Sequence, residues 1–91
     1  MRMWGFSAIG LLAAAGAQAA ECRVTDPTGT PLNVRTAPNG RVVGTLVNGQ
    51  RVSVLERRMI GGKAWVYVGD VELGDQPIGW VFREFVSCYG R

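Results

Sequence analysis

Ninety-one residues, 47% of them hydrophobic and 19% charged, with a formal net charge of +3, describe one ordinary globular domain and not a disordered or collagen-like chain. The absence of histidine excludes a Ser-His-Asp triad, a Cys-His nucleophile pair, a histidine zinc site and a switch titrating near neutral pH. Two cysteines are too few for a structural zinc or an iron–sulfur cluster without other strong ligands, so what remains is a small binding module or an enzyme working with carboxylates alone.

The chain opens on one basic residue, Arg2, and then an apolar stretch from Trp4 to Ala15. Ala17-Gln18-Ala19 follows with small side chains at the −3 and −1 positions of a signal-peptidase site. A basic start, a short apolar run and an Ala-x-Ala end are the marks of a secretory signal peptide. Residues 1–20 are read as that cleaved signal, with cleavage after Ala19 or Ala20, and residues 21–91 as the domain. A membrane anchor is the competing reading. Gly5, Gly10, Gly16 and Gln18 dilute the stretch, however, and no basic stop-transfer cluster follows. Lipidation of Cys22 is set aside because Glu21, not a small residue, precedes it. An exported protein, periplasmic or secreted, is therefore expected. In such a compartment two cysteines are read first as a disulfide, the alternative being two buried free thiols. A Cys22–Cys88 bridge would close a loop of about 67 residues, which chain entropy values at up to about 4 kcal/mol. For a domain whose single core supplies only about 3–5 kcal/mol, that is a large share.

No segment of the mature chain shows a sustained 3.6-residue apolar period. Short alternating runs bounded by turn residues recur instead, the all-β pattern. Leu32–Arg35 is a first strand, followed by a turn at Thr36-Ala37-Pro38-Asn39-Gly40. Val42–Leu46 is a second, ended by Asn48-Gly49. Arg51–Glu56 is a third, with Val52 and Val54 on one face. Gly61-Gly62 marks a turn before a fourth strand at Ala64–Val68. A polar loop, Gly69 to Pro77, leads to Ile78–Val81, and Phe82–Val86 is a short helical turn at most before Ser87-Cys88. Strand spacings of about ten residues indicate a small barrel or sandwich.

The order Leu32-Asn33-Val34-Arg35-Thr36-Ala37-Pro38, Val42-Val43-Gly44-Thr45-Leu46 and Gly49-Gln50-Arg51-Val52-Ser53-Val54 resembles the bacterial SH3-like (SH3b) domain. Trp65, Val68, Gly79-Trp80-Val81 and Phe85-Val86 continue the pattern. The resemblance implies an all-β fold, a small SH3-like β-barrel of five to six short strands. It also implies a non-catalytic binding module for a cell-wall (peptidoglycan) peptide or an envelope protein. A protein–protein adaptor without cell-wall affinity is the alternative. Two departures stand out: the 59–63 and 69–77 segments are slightly longer than the family's usual hairpin loops, and the terminal cysteine pair lies outside the general pattern. Gly44 and Gly79 lie within strands, where glycine serves a bulge or a close approach.

Trp65 and Tyr67 stand two apart on one strand and share a face, opposite Val66 and Val68. If the valines fill the barrel, the aromatics line its outside, as anchors for a ligand or as a second cluster under folded loops. With Arg35, which is expected either to tie the adjoining turn or to meet an acidic ligand, they are the candidate ligand-binding residues. Trp80, at the Gly-Trp position of the resemblance, reads as core or semi-core. Asp70, Glu72 and Asp75 offer carboxylates for glycosidase chemistry or calcium, but loop carboxylates are usually solvated. Arg51, Arg57, Arg58 and Lys63 offer a basic patch. Without Arg2 the chain holds nine basic and seven acidic residues, too weak a balance for tracking phosphates. No catalytic residue, metal site or cofactor is called for. The partners expected are cell-wall peptide or envelope protein, with no nucleic acid, no stable membrane insertion after signal removal, and a monomeric chain.

Overall fold

The computed structural model describes residues 20–88. The expected signal peptide lies outside the described residues except for Ala20, where the first strand begins. Seven strands follow in chain order: β1 (Ala20–Val24), β2 (Leu32–Arg35), β3 (Val42–Leu46), β4 (Arg51–Ile60), β5 (Lys63–Asp70), β6 (Gln76–Phe82) and β7 (Val86–Cys88). Single 3-10 turns at Val71–Leu73 and Arg83–Phe85 flank β6. Every strand pairing among the described residues is antiparallel, and the sheet order is β3-β2-β6-β5-β4-β1-β7.

The all-β expectation holds, and the expected barrel of five to six strands is corrected in two respects. There are seven strands, and the ladder is open, with β3 and β7 at its ends. The additional strands are β1 and β7. In β1, Cys22 and Val24 are buried between exposed Glu21 and Arg23, the alternation of a half-buried strand. The three residues of β7 all pair with β1, and β3 pairs with β2. Closure would require a ladder between β3 and β7, and none forms among the described residues.

Although the ladder is open, the sheet curls round one core. Cys22, Val24, Leu32, Val34, Leu46, Val52, Val54, Val66, Val68, Val81 and Val86 form a single cluster drawn from every strand. A valine-rich core suits a strand face, because β-branched side chains pack well on a pleated surface. The curl depends on bulges, with register shifts at Val34/Arg35, Val54/Glu56 and Val68/Gly69, since an extra residue on one strand bends it and increases its twist. Close approaches complete it. A Cβ on Gly79 would meet Val34 Cγ1 at 2.5 Å and the Arg35 carbonyl oxygen at 2.9 Å. A Cβ on Gly69 would meet the Asp75 carbonyl oxygen at 2.5 Å.

The hairpins differ from the expected outline. β4 and β5 continue to Ile60 and Lys63, so the 59–63 segment is strand extended to a two-residue turn at Gly61-Gly62, both at positive φ (57° and 81°), as a tight hairpin requires. Much of the 69–77 segment is likewise ordered as the end of β5, a 3-10 turn capped by the Asp70 side chain, and the start of β6. At the 36–40 turn Asn39 takes positive φ (62°). Gly40 is needed there for space, since its Cβ would lie 2.9 Å from the Ala37 carbonyl oxygen.

Cys22 and Cys88 face one another across β1 and β7 and are joined as a disulfide, with Cα atoms 4.1 Å apart. On the outside, Arg51 Nε and Nη1 donate to Glu21 at 2.8 Å and Glu72 at 2.7 Å, linking β1, β4 and the Val71–Leu73 turn. The Arg51 hydrogen bond holds the Glu21 carboxyl below its ordinary range, and Glu21 in turn raises the Arg51 guanidinium.

Two expectations follow. In the oxidised protein a non-reducing peptide map should show Cys22 linked to Cys88, and reduction should lower stability by up to about 4 kcal/mol in denaturant melts; two alkylatable thiols in the native protein would overturn this. Gly79→Ala should destabilise by about 1–3 kcal/mol through overpacking. Gly44→Ala, where nothing lies within 4 Å of the added Cβ, should melt close to the parent. Equal melting of the two variants would show that the approach of β2 to β6 does not require a glycine.

Candidate functional site

The face of the sheet opposite the valine core carries the aromatic residues. Directly opposed residues of neighbouring strands point the same way, so the register identifies what lies together. Glu56 of β4 opposes Tyr67 of β5, Tyr67 opposes Trp80 of β6, and Trp80 opposes Arg35 of β2. The next row runs from Arg58 through Trp65 to Phe82. All three sequence candidates, Arg35, Trp65 and Tyr67, therefore share one face, in two adjacent rows.

The rings pack in two groups, Trp65 with Phe82 and Phe85, and Tyr67 with Trp80. Trp65 and Phe82 have centroids 4.2 Å apart, Tyr67 and Trp80 5.2 Å, and Phe82 and Phe85 6.2 Å edge-on. These separations lie near the range favoured by aromatic quadrupoles. The Arg58 guanidinium lies 5.1 Å from the Trp80 ring centre, and Lys63 Nζ 4.8 Å from that of Phe82, within reach of cation–π attraction. Trp65 is only 1% exposed and Trp80 7%, whereas Tyr67, Phe82 and Phe85 are half-buried. Trp65 is thus covered by its surroundings, and Tyr67 is the more accessible of the candidate pair. The Trp65 Nε1–H is buried without a hydrogen-bond acceptor among the described residues.

The segment between β1 and β2 gives this face a wall. Asp26 Oδ1 accepts from the Thr28 amide at 2.9 Å and the Thr28 hydroxyl at 2.7 Å, the local geometry that Asp favours in turns. The Thr28 amide and hydroxyl are therefore both directed at one carboxylate, and Thr30 packs its hydroxyl 2.8 Å from that of Thr28. The base of the segment is fastened from both sides. The Asp26 amide donates to Asn48 Oδ1 at 2.6 Å, the Thr25 amide to the Phe85 carbonyl at 2.8 Å, and the Thr25 and Ser87 hydroxyls are 2.7 Å apart.

Between this wall and the rings lies a cavity of about 160 Å³. Trp65, Phe82, Phe85, Pro31 and Leu32 supply its apolar surface, and Asp26, Thr30, Asn33 and Arg35 its polar groups. Arg35 also ties the adjoining turn, with Nη1 donating to the Gly40 carbonyl at 2.9 Å. Trp65 and Arg35 meet in this cavity, while Tyr67 lies one row away on Trp80. Sequence reasoning missed Asp26, Thr30, Phe82 and Phe85 as site residues. The Asp26-Pro27-Thr28-Gly29 turn signature was readable, but that the turn would stand over an aromatic face was not.

The other sequence candidates have structural occupations. Asp70 Oδ1 accepts from the Glu72 amide at 2.9 Å, and Glu72 pairs with Arg51. Asp75 takes a left-handed turn conformation at φ 67°. Among the described residues no group of three or more His, Cys, Asp or Glu is placed to hold a metal ion. Of the basic run, Arg51, Arg58 and Lys63 pair with Glu21 and Glu72, Glu56 and Glu84 respectively.

The Thr28 hydroxyl first, and the Thr28 amide second, hold the Asp26 carboxyl below the ordinary aspartate range. A depressed folded-state pKa contributes stability above the unfolded value of about 3.9, lost as pH falls through the folded value. Carboxyl NMR should place the Asp26 midpoint below about 3.9, with the Thr28 amide resonance moving in step. A midpoint at or above that value would show that the turn does not depend on the ionised carboxylate.

A family model described as the bacterial SH3 domain matches residues 30–87. Neither the curated proteins nor the solved structures contain a match.

Proposed function

The chain belongs to the bacterial SH3 domain family, and on that premise we propose that it is an exported, non-catalytic binding module whose ligand is a cell-wall peptide. The family is one of binding domains that are generally non-catalytic and often cell-wall related. The observation that carries the reading is the cavity beneath the 25–31 segment, with its floor of Trp65, Phe82 and Phe85 and its polar wall of Asp26, Thr30, Asn33 and Arg35. Aromatic surfaces with a few fixed polar groups bind short, mostly apolar segments and set their orientation. At about 160 Å³ the cavity suits one residue of such a ligand, with Tyr67 on the neighbouring row available to the next.

Export is supported by the signal-like opening and by the disulfide, since such bonds persist in oxidising compartments. The ladder begins at Ala20, opposite Val54, so cleavage after Ala19 would leave every described pair of β1 intact.

Binding of the purified mature protein to isolated sacculi, with melting temperatures on the same samples, tests the reading. Tyr67→Ala should stay folded and lose about 1–3 kcal/mol of binding, as hot-spot aromatics do. Trp65→Ala should cost about 3–5 kcal/mol of stability, because it empties a buried site. Unchanged binding in a well-folded Tyr67→Ala protein would remove Tyr67 from the site. Capture of an envelope protein without any retention on sacculi would replace the cell-wall ligand with a protein partner.

A further inference from the structure

The β4–β5 hairpin projects beyond the core. Its inward row continues from Val66, which is fully buried and opposes both Arg57 and Val81, to the Met59–Ala64 pair nearer the turn. Val66 belongs to the core cluster, but Met59 is 67% exposed. β1 accompanies β4 only over Arg51–Val54, and β6 accompanies β5 only as far as Trp65, so the hairpin continues past its neighbours. A second cavity, of about 250 Å³, opens there. It is lined by Arg57, Arg58, Met59, Ala64, Trp65, Val66 and Arg83.

The chemistry of this lining is one-sided. Met59, Ala64, Val66 and Trp65 supply apolar surface, three arginines complete the wall, and no carboxylate takes part. Two of the arginines are engaged elsewhere. Arg58 pairs with Glu56 and lies against Trp80, and Arg83 Nη1 donates to the Val86 carbonyl at 2.6 Å. Arg57 is exposed and forms no ion pair among the described residues. A guanidinium offers a planar fork that matches a carboxylate in bidentate fashion.

We propose that this cavity at the open end of the core is a second binding site, which takes the C-terminal residue of a peptide with its apolar side chain inside and its free carboxylate on Arg57. Size limits the ligand. An apolar cavity of about 150 Å³ holds a benzene ring, so 250 Å³ accommodates one branched or aromatic side chain and not an extended chain. Charge sets its orientation, because Glu56 occupies Arg58 and leaves Arg57 without a carboxylate, which favours an anionic group beside the inserted side chain. A neutral side chain in mid-peptide would fill the volume and leave Arg57 unmatched. Capture of a terminal carboxylate is a recognised mode of peptide recognition. The site differs from the cavity beneath the 25–31 segment in position and in polar groups, with Trp65 the one residue common to both linings.

Amide NMR titration of the disulfide-bonded mature chain with acetyl-Gly-Gly-Leu as the free acid, its C-terminal amide and acetyl-Gly-Gly-Gly provides the test. The leucine acid should shift Met59, Ala64 and Val66 and bind about tenfold or more tightly than the amide, the range for a charge-assisted hydrogen bond. The glycine acid should bind more weakly than the leucine acid. Arg57→Gln should fold normally and abolish the preference for acid over amide, whereas the exposed Arg41→Gln should leave it unchanged. Tyr67→Ala should also leave it unchanged, which separates this site from the sacculus-binding face. Equal binding of acid and amide, or shifts confined to residues 25–35, would overturn the proposal. So would binding to phosphatidylglycerol vesicles through Met59 and Arg57 with no response to any of the peptides.

Discussion

Burying valines from a single sheet is possible only if the sheet bends back on itself, and the rest of this molecule follows from that bend. Each of the seven strands, three to ten residues long, gives one face to a common cluster. Twist alone does not curl a sheet this far. Three register shifts and the bare Cα atoms of Gly69 and Gly79 supply the remaining curvature, as bulges and glycines do at barrel corners. The buried apolar area is modest in a domain of this length, which is why a covalent link between its terminal strands matters.

The bend also explains the outer face. Where the sheet curves, its convex side would expose a broad apolar surface if it carried large side chains, and here it carries Trp65, Tyr67, Trp80 and Phe82. The 25–31 segment and the Arg83–Phe85 turn reduce that exposure by folding against the rings. Trp65 is thereby buried outside the main core, and the incomplete fit between segment and rings leaves the cavity. Uneven strand lengths leave a second unfilled space at the far end of the β4–β5 hairpin. Both cavities are places where a one-layer fold does not fully cover itself.

Much of this was legible in the sequence, and the residues show why. The spans Leu32–Arg35 and Val42–Leu46 match the expected strands, because alternation and turn residues delimit them. That Trp65 and Tyr67 oppose Val66 and Val68 follows from a period of two. β1 was passed over because its five residues border the presumed signal, and β7 because three residues carry no period. Burial of Trp65 was left open by the sequence, since exposure depends on a segment some forty residues away. Asp26 and Thr30 reach the site only through the packing of that segment on the rings, which local pattern does not encode.

The Cys22–Cys88 bridge sets how this domain carries mechanical load. Its two ends leave side by side from β1 and β7, at Cα atoms 4.1 Å apart. A pull on both ends is transmitted through the covalent bond and bypasses the residues between the cysteines, so the sheet is loaded only through the Ala20–Val54 and Glu21–Ser53 pairs that precede Cys22. Once the bond is reduced, the same pull acts at one end of the short β1–β7 ladder and opens its three residue pairs one after another, a peeling geometry with little resistance. Oxidised, the module is a pendant outside the line of force; reduced, it becomes the first part of that line to give way.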